Sequence, residues 1–268
     1  MPKIQANGIA LYYEQHGWDK DADVVVLSNG VLMSTASWAM QVPVLAKHYR
    51  VLVYDCRGMW QSEHPAGPYS MEQHADDLAA LLDALHIERA HIAGISYGGE
   101  ISLIFGYKYP QRTLSVITSS AVSQVDPLLR GVIESWTAAA RAKDPELFFQ
   151  ITYPTNFSEA WIAANQAALD GARVRYRILD FDAVLELLLS FSRLNITSEL
   201  KHITAPTLVI VGEQDILKPR KYAEIIAREV PKSEFVVVPN SGHAVCWEQA
   251  GVFNTLLLGF LAKNAAKN

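Results

Sequence analysis

The stretch "HIAGISYGGE", His91–Glu100, sets one serine between two glycines, Gly94-Ile95-Ser96-Tyr97-Gly98. A G-x-S-x-G match is weak by itself, because short motifs recur by chance. Its weight comes from what stands on either side. "AHIAGIS" is a short apolar run, the pattern of a strand buried on both faces. "YGGEISLIFGYKYP", which follows, reads as a helix. Ser96 therefore falls at a strand-to-helix junction, where a strained turn pushes Oγ clear of its neighbours and the glycines leave room for the backbone to fold back. The first amides of the new helix point at any negative charge that develops there.

A serine hydroxyl is a poor nucleophile without a base, and the base needs an acid to orient it. Both candidates follow strands of their own. Asp215 lies just past the apolar run "TLVIV", in "GEQD", and His243 just past "FVVV", in "PNSGH". Glu213, two residues before Asp215, is the rival acid. The order Ser, Asp, His is the one a strand–turn–helix nucleophile predicts.

Outward from these residues the chain alternates strands and helices. Two short extended runs flank Asn7-Gly8, a hairpin dipeptide. "DVVVLSNG", "RVLVYDCRG", "LSVITSSAV", "PTLVIVGEQD" and "SEFVVVPNSGH" read as buried strands, and "ASWAMQVPVLAKHY" as one helix. "SMEQHADDLAALLDALHIE" is a helix that opens with Ser70 and Gln73 in capping-box spacing. "KPRKYAEIIAREV" and "WEQAGVFNTLLLGFLAKN" are further helices. Such alternation predicts an α/β fold with a mostly parallel sheet and helices on both faces. Residues 123–200 break the rhythm with helical, aromatic-rich text and no clear strand. A stretch that long is not a structureless loop in a compact domain. The expected organisation is a core from residues 1–122 and 201–268, with 123–200 inserted as a helical cap over the sheet.

The bulk numbers narrow the function classes. The 268 residues suit one large domain carrying an insertion, and 50% are hydrophobic and 19% charged. A net charge of −5, without any basic cluster, speaks against nucleic acid or anionic membranes as partners. No apolar leader or membrane span is legible, so a cytoplasmic protein is expected, as a monomer or homodimer. Cys56 and Cys246 fit neither a disulfide scaffold nor a zinc site. Neither metal nor nucleotide motifs are present, and no cofactor is expected.

With these residues in place the chain resembles the α/β-hydrolase family, from "VVVLSNG" through "YDCRG", "GISYGGE" and "APTLVIVGEQD" to "NSGHAVCWEQ". The resemblance implies Ser96 as nucleophile, His243 as general base and then acid, and Asp215 as the residue that orients the imidazole. It implies an oxyanion hole from the backbone amides of Tyr97 and Val31. Two places depart from the family: Asn29-Gly30, where members read His-Gly, and the bulky Met59-Trp60 after "YDCRG". Asn29 is a candidate for the substrate pocket, although its side chain could instead bond within the loop. In the insertion Trp136, Phe149, Tyr153, Phe157 and Trp161, with Phe148, could line an apolar acyl pocket. Glu100 is read as support for the helix dipole, with a functional role as the alternative for a buried acid; Cys246 is read as packing and His91 as a satisfied core histidine. Lys218 is read as a lysine at a helix start, the alternative being a role like that in the hydroxynitrile lyases, which share the framework.

The body of the chain is similar to enol-lactonase and acyl-homoserine lactonase members. The expected activity is a cofactor-independent serine hydrolase cleaving a carboxylic ester or lactone through an acyl-enzyme. "NGVLMSTASW" is similar to the matching loop of members that join 3-hydroxyacyl chains, which keeps an acyltransferase or thioesterase acting on thioesters in view. So is a triad-bearing small-molecule receptor with little turnover. Fold alone does not choose among these.

Overall fold

The computed structural model describes residues 2–266. Strands β1 (Lys3–Ala6) and β2 (Ile9–His16) form the antiparallel hairpin announced by Asn7-Gly8. Both turn residues carry positive φ, 49° and 78°, as a two-residue primed turn requires. Strand β3 (Val24–Ser28) follows. The text expected to form one helix before the next strand instead gives a 3-10 turn at Thr35–Trp38 and a four-residue helix α1 (Val42–Leu45). Pro43 accounts for the break, since proline is favoured in the first turn of a helix, where it stands in α1, and is costly further in.

The chain continues through β4 (Arg50–Tyr54), α2 (Met71–Ala84), β5 (Ala90–Ile95), α3 (Tyr97–Lys108) and β6 (Thr113–Ser119). Ser70 caps α2, its Oγ accepting from Gln73 N at 3.0 Å. Five helices fill the interval read as an insertion: α4 (Pro127–Ala142), α5 (Pro145–Asn156), α6 (Glu159–Ala164), α7 (Gln166–Tyr176) and α8 (Phe181–Ser192). Asp126, Asp144, Ser158 and Asp180 cap four of them through their side chains. The core resumes with β7 (Thr207–Gly212), α9 (Arg220–Glu229) and β8 (Ser233–Val238). The last helical text divides into α10 (Val245–Glu248) and α11 (Ala250–Lys263) at Gln249, whose backbone is not helical.

The eight strands form one sheet in the order β1-β2-β4-β3-β5-β6-β7-β8, parallel from β4 onward. Every residue of β3, β5 and β7 is buried, which is why these strands read as apolar runs without alternation. Alternate residues serve opposite layers: Val26, Leu52 and Ile92 pack with the side of α2 and α3, while Val25, Val53 and Ala93 pack with Trp38, Leu45 and Phe253. Parallel strands end on one edge of the sheet, and Ser96, Asp215 and His243 all follow such ends, where α/β proteins place their ligands. No helix among the described residues is long and apolar enough to cross a membrane.

Candidate active site

Ser96 stands at φ 54° and ψ −120°, a region that side-chain-bearing residues rarely occupy. The surroundings enforce it. A Cβ on Gly94 would collide with the carbonyl of Gly98, and one on Gly98 with the carbonyl of Ser28 in β3. The two glycines let strand, turn and neighbouring strand approach that closely. Ser96 N donates to Ser119 O at 2.8 Å, and its carbonyl accepts from Gly99 N and Glu100 N at 2.8 and 3.0 Å. The amides of Tyr97 and Gly98 belong to the first turn of α3, which has no intrahelical acceptor for them.

Asp215 and His243 meet, the Nδ1 of His243 lying 2.8 Å from Asp215 Oδ2. The other carboxylate oxygen accepts from Leu217 N at 3.0 Å and Lys218 N at 2.8 Å, so the acid is fixed by its own loop. Both residues are 4% exposed, which keeps water from competing for the bond. Glu213, the rival, is exposed and takes the amide of Asn240 at 3.2 Å. Behind His243, its carbonyl accepts from Ser120 Oγ at 2.9 Å.

The loop after β3 is tied from several sides. Asn29 Nδ2 donates to Tyr54 O at 3.0 Å and Asp55 Oδ1 at 3.3 Å, and Asn29 Oδ1 accepts from Trp38 Nε1 at 2.8 Å. Asp55 also accepts the amides of Thr35 and Gln61. Burial raises the Asp55 carboxyl to about 6, against the pull of these donors. Asn29 is therefore a loop brace and not a pocket residue: it is fully buried and does not line the cavity. Val31 does line it, beside Ser96.

The cavity, about 930 Å³ with its mouth, holds Ser96 and His243 on one side. Trp136 from α4 and Phe149, Tyr153 and Phe157 from α5 and its C-terminal end wall it. Trp161 does not reach it. Its ring stacks on Phe157 at 4.1 Å, a layer behind the wall, with Phe157 in turn stacked on Trp247 at 5.9 Å. Phe148 likewise packs inside the helical layer, edge-on to Phe181. Trp60, from the departing Met59-Trp60 pair, reaches the cavity, with the Arg175 guanidinium 4.6 Å over its ring. Cys246 lines the cavity too, but burial raises its thiol above the usual range, which disfavours the reactive thiolate. His91 pairs with Ser115 Oγ at 2.8 Å inside the core.

Two readings need correction. Lys218 does not start a helix; α9 begins at Arg220, and the Lys218 side chain is buried. Glu100 does more than support the dipole of α3. Their charged ends meet at 2.8 Å beside Ser96; Glu100 stands out in the apolar text of α3, but Lys218 lies in the charged stretch "DILKPRKYAE" and carries no such signal.

Residues 23–250 match the family described as alpha/beta hydrolase fold. The chain belongs to that family. Among its relatives is a protein of Stutzerimonas stutzeri (strain A1501) assigned as the carbamate hydrolase RutD, 32% identical, the match covering 96% of this chain and 98% of that one. The enol-lactonase of Burkholderia xenovorans LB400 superposes with a TM-score of 0.92 at 27% identity, over 97% of this hydrolase-family chain and 100% of its own. Est816, an N-acyl homoserine lactone degrading enzyme, reaches 0.83 at 26% identity, over 97% and 100%. The likeness to lactonase-type members therefore holds at the level of structure.

Proposed function

We propose that the protein is a serine hydrolase that cleaves carboxylic ester or lactone bonds of a small, partly apolar substrate, with 1–122 and 201–268 as its core and 123–200 as a cap. The observation that carries this reading is His243, paired with Asp215 at 2.8 Å, opening onto the same cavity as a serine on a strained elbow. With Nδ1 committed to Asp215, Nε2 is the nitrogen left to take the Ser96 proton. Ser96 Oγ bonds the carbonyl carbon, and the carbonyl π pair moves onto oxygen. The amides of Tyr97 and Val31 receive that oxyanion, each such donor contributing on the order of a hundredfold or more in rate. His243 returns the proton to the departing oxygen, then activates water to release the acyl group.

The cavity wall supports an apolar acyl group, since its aromatic side chains offer little hydrogen bonding and much area. A second reading is favoured by the relative assigned as a carbamate hydrolase. The same groups could attack a carbamate carbonyl, with His243 protonating nitrogen in place of oxygen.

The test is turnover of p-nitrophenyl esters of rising chain length, enol-lactones, acyl-homoserine lactones and carbamates, with Ser96→Ala as the blank. Wild type should hydrolyse one class with saturation, and Ser96→Ala should lose at least about a thousandfold in kcat at unchanged thermal stability. Equal rates in both proteins would remove Ser96 from the chemistry. A clear preference for carbamates would replace the ester reading.

A further inference from the structure

Ser96 Oγ has a cation against it. Lys218 Nζ lies 3.2 Å from that oxygen, 2.8 Å from Glu100 Oε1 and 3.1 Å from Glu100 Oε2. Lys218 is 3% exposed and Glu100 not at all. A buried ion pair is poor ground for stability, because desolvating both charges offsets their attraction, and apolar residues of similar volume often do as well. Stability therefore does not account for a pair placed in contact with the elbow hydroxyl.

The ammonium is held from several sides. The backbone of Lys218 is tied to Asp215 Oδ1, and Glu100 Oε1 is held by Val122 N at 2.8 Å. The ring of Phe191 lies 4.4 Å from Nζ. By donating to Ser96 Oγ, Lys218 occupies a lone pair of that oxygen and leaves the hydroxyl proton free for another acceptor.

We propose that Lys218 is a further catalytic residue, whose ammonium stabilises negative charge on Ser96 Oγ, and that Glu100 is the positioning residue that holds it there. The inference rests on reading Ser96 as the nucleophile. During acylation the hydroxyl proton passes to His243 Nε2 while the Oγ–C bond forms, and electron density on Oγ rises in between. During deacylation the Oγ–C bond breaks, its electron pair stays on Oγ, and the proton returns from His243. Lys218 transfers no proton in either step. A charged donor in a dry, preorganised site is worth more than a neutral one and needs no reorientation as the charge appears.

Burial raises the Glu100 carboxyl, and the Lys218 charge is the first influence opposing it. The other titratable groups around the pair are the Tyr97 hydroxyl on α3 and the Asp215 and His243 side chains from the loops after β7 and β8. From α8 the pair meets the Phe191 ring, and from α4 the small cavity beside Lys218 is walled by Leu129, Val132 and Ile133.

The test uses the rate at which a fluorophosphonate inactivates the enzyme, a readout of Ser96 reactivity that does not depend on knowing the substrate. In Lys218→Met/Glu100→Leu no buried charge is left unpaired, so folding should survive. Its inactivation rate constant and its kcat should fall about ten- to a hundredfold, with KM little changed. A folded double variant that reacts at the wild-type rate overturns the inference and leaves the nucleophile standing. A wild type that the probe never labels overturns the nucleophile reading itself. In Glu100→Gln the ammonium loses the carboxylate that holds it, and kcat should fall with KM little changed; Glu100→Asp, which keeps the charge, should recover part of the rate. Equal kcat in Glu100→Gln and wild type overturns the role given to Glu100.

Discussion

Asp215 shares its two oxygens between its own loop and His243: Oδ1 takes the amides of Leu217 and Lys218, and Oδ2 lies 2.8 Å from His243 Nδ1. The amides can only donate, so the orientation of any replacement is decided in advance. In Asp215→Asn the amide oxygen must stay on the loop, which turns the NH₂ toward Nδ1. The imidazole then carries its proton on Nε2 and cannot accept one from Ser96. We expect kcat to fall by about 10⁴ with little change in KM, measured on whichever substrate class the panel identifies. Glu213→Gln, at the exposed rival acid, should leave kcat within a factor of two or so.

The glycines give a contrast in stability. A Cβ on Gly98 would collide with the Ser28 carbonyl, whereas one on Gly131, in α4, meets nothing within 4 Å. Gly98→Ala should cost about 3 kcal/mol or more, as strain at a fixed backbone does. Gly131→Ala should gain roughly 0.5–1 kcal/mol from better helix propensity. Urea unfolding of both variants checks the pair.

His74 gives a pH dependence. It is buried with its Nε2 2.7 Å from the Tyr97 hydroxyl, and burial, helped by the Arg57 charge, lowers its pKa to about 3. The folded chain therefore keeps His74 neutral while the unfolded chain protonates it below about pH 6.5. Its contribution to stability is whole above that value and is lost as pH falls toward 3. At pH 5 the loss is about 2 kcal/mol. His74→Gln lacks this loss, so its melting temperature should approach that of wild type between pH 7 and pH 5. A gap that stays constant would remove His74 as the source.

Trp136 walls both the main cavity and the small one beside Lys218. Trp136→Phe keeps an aromatic ring but withdraws part of that shared wall. The preferred chain length among p-nitrophenyl esters should shift upward, by about tenfold in relative kcat/KM for each added methylene or two. An unchanged profile would place the acyl group elsewhere.

Much of this was legible before any coordinates. The hairpin at Asn7-Gly8, the buried strands and the serine at a strand-to-helix turn depend on near neighbours, and near neighbours are what periodicity and turn chemistry report. The break before Pro43 was legible in principle, since proline is favoured in the first turn of a helix and costs stability further in. Pocket membership was not. Trp136 and Trp161 look alike as helical aromatics, yet one faces the cavity and the other stacks behind Phe157. Asn29 was ambiguous for the same reason: its partners Tyr54 and Asp55 lie at and just past the end of β4, which is adjacent only once the sheet has formed.

The sequence by itself determined the order of strands and helices, the elbow and the three residues at strand ends, because each follows from short-range backbone preference and burial pattern. Only the tertiary structure decided what stands against Ser96. Glu100 and Lys218 are 118 residues apart, and nothing local distinguishes a solvated lysine from one folded inward. That choice is made by packing: once α3 and the loop after β7 share a dry interface, each charge can be buried there only beside the other.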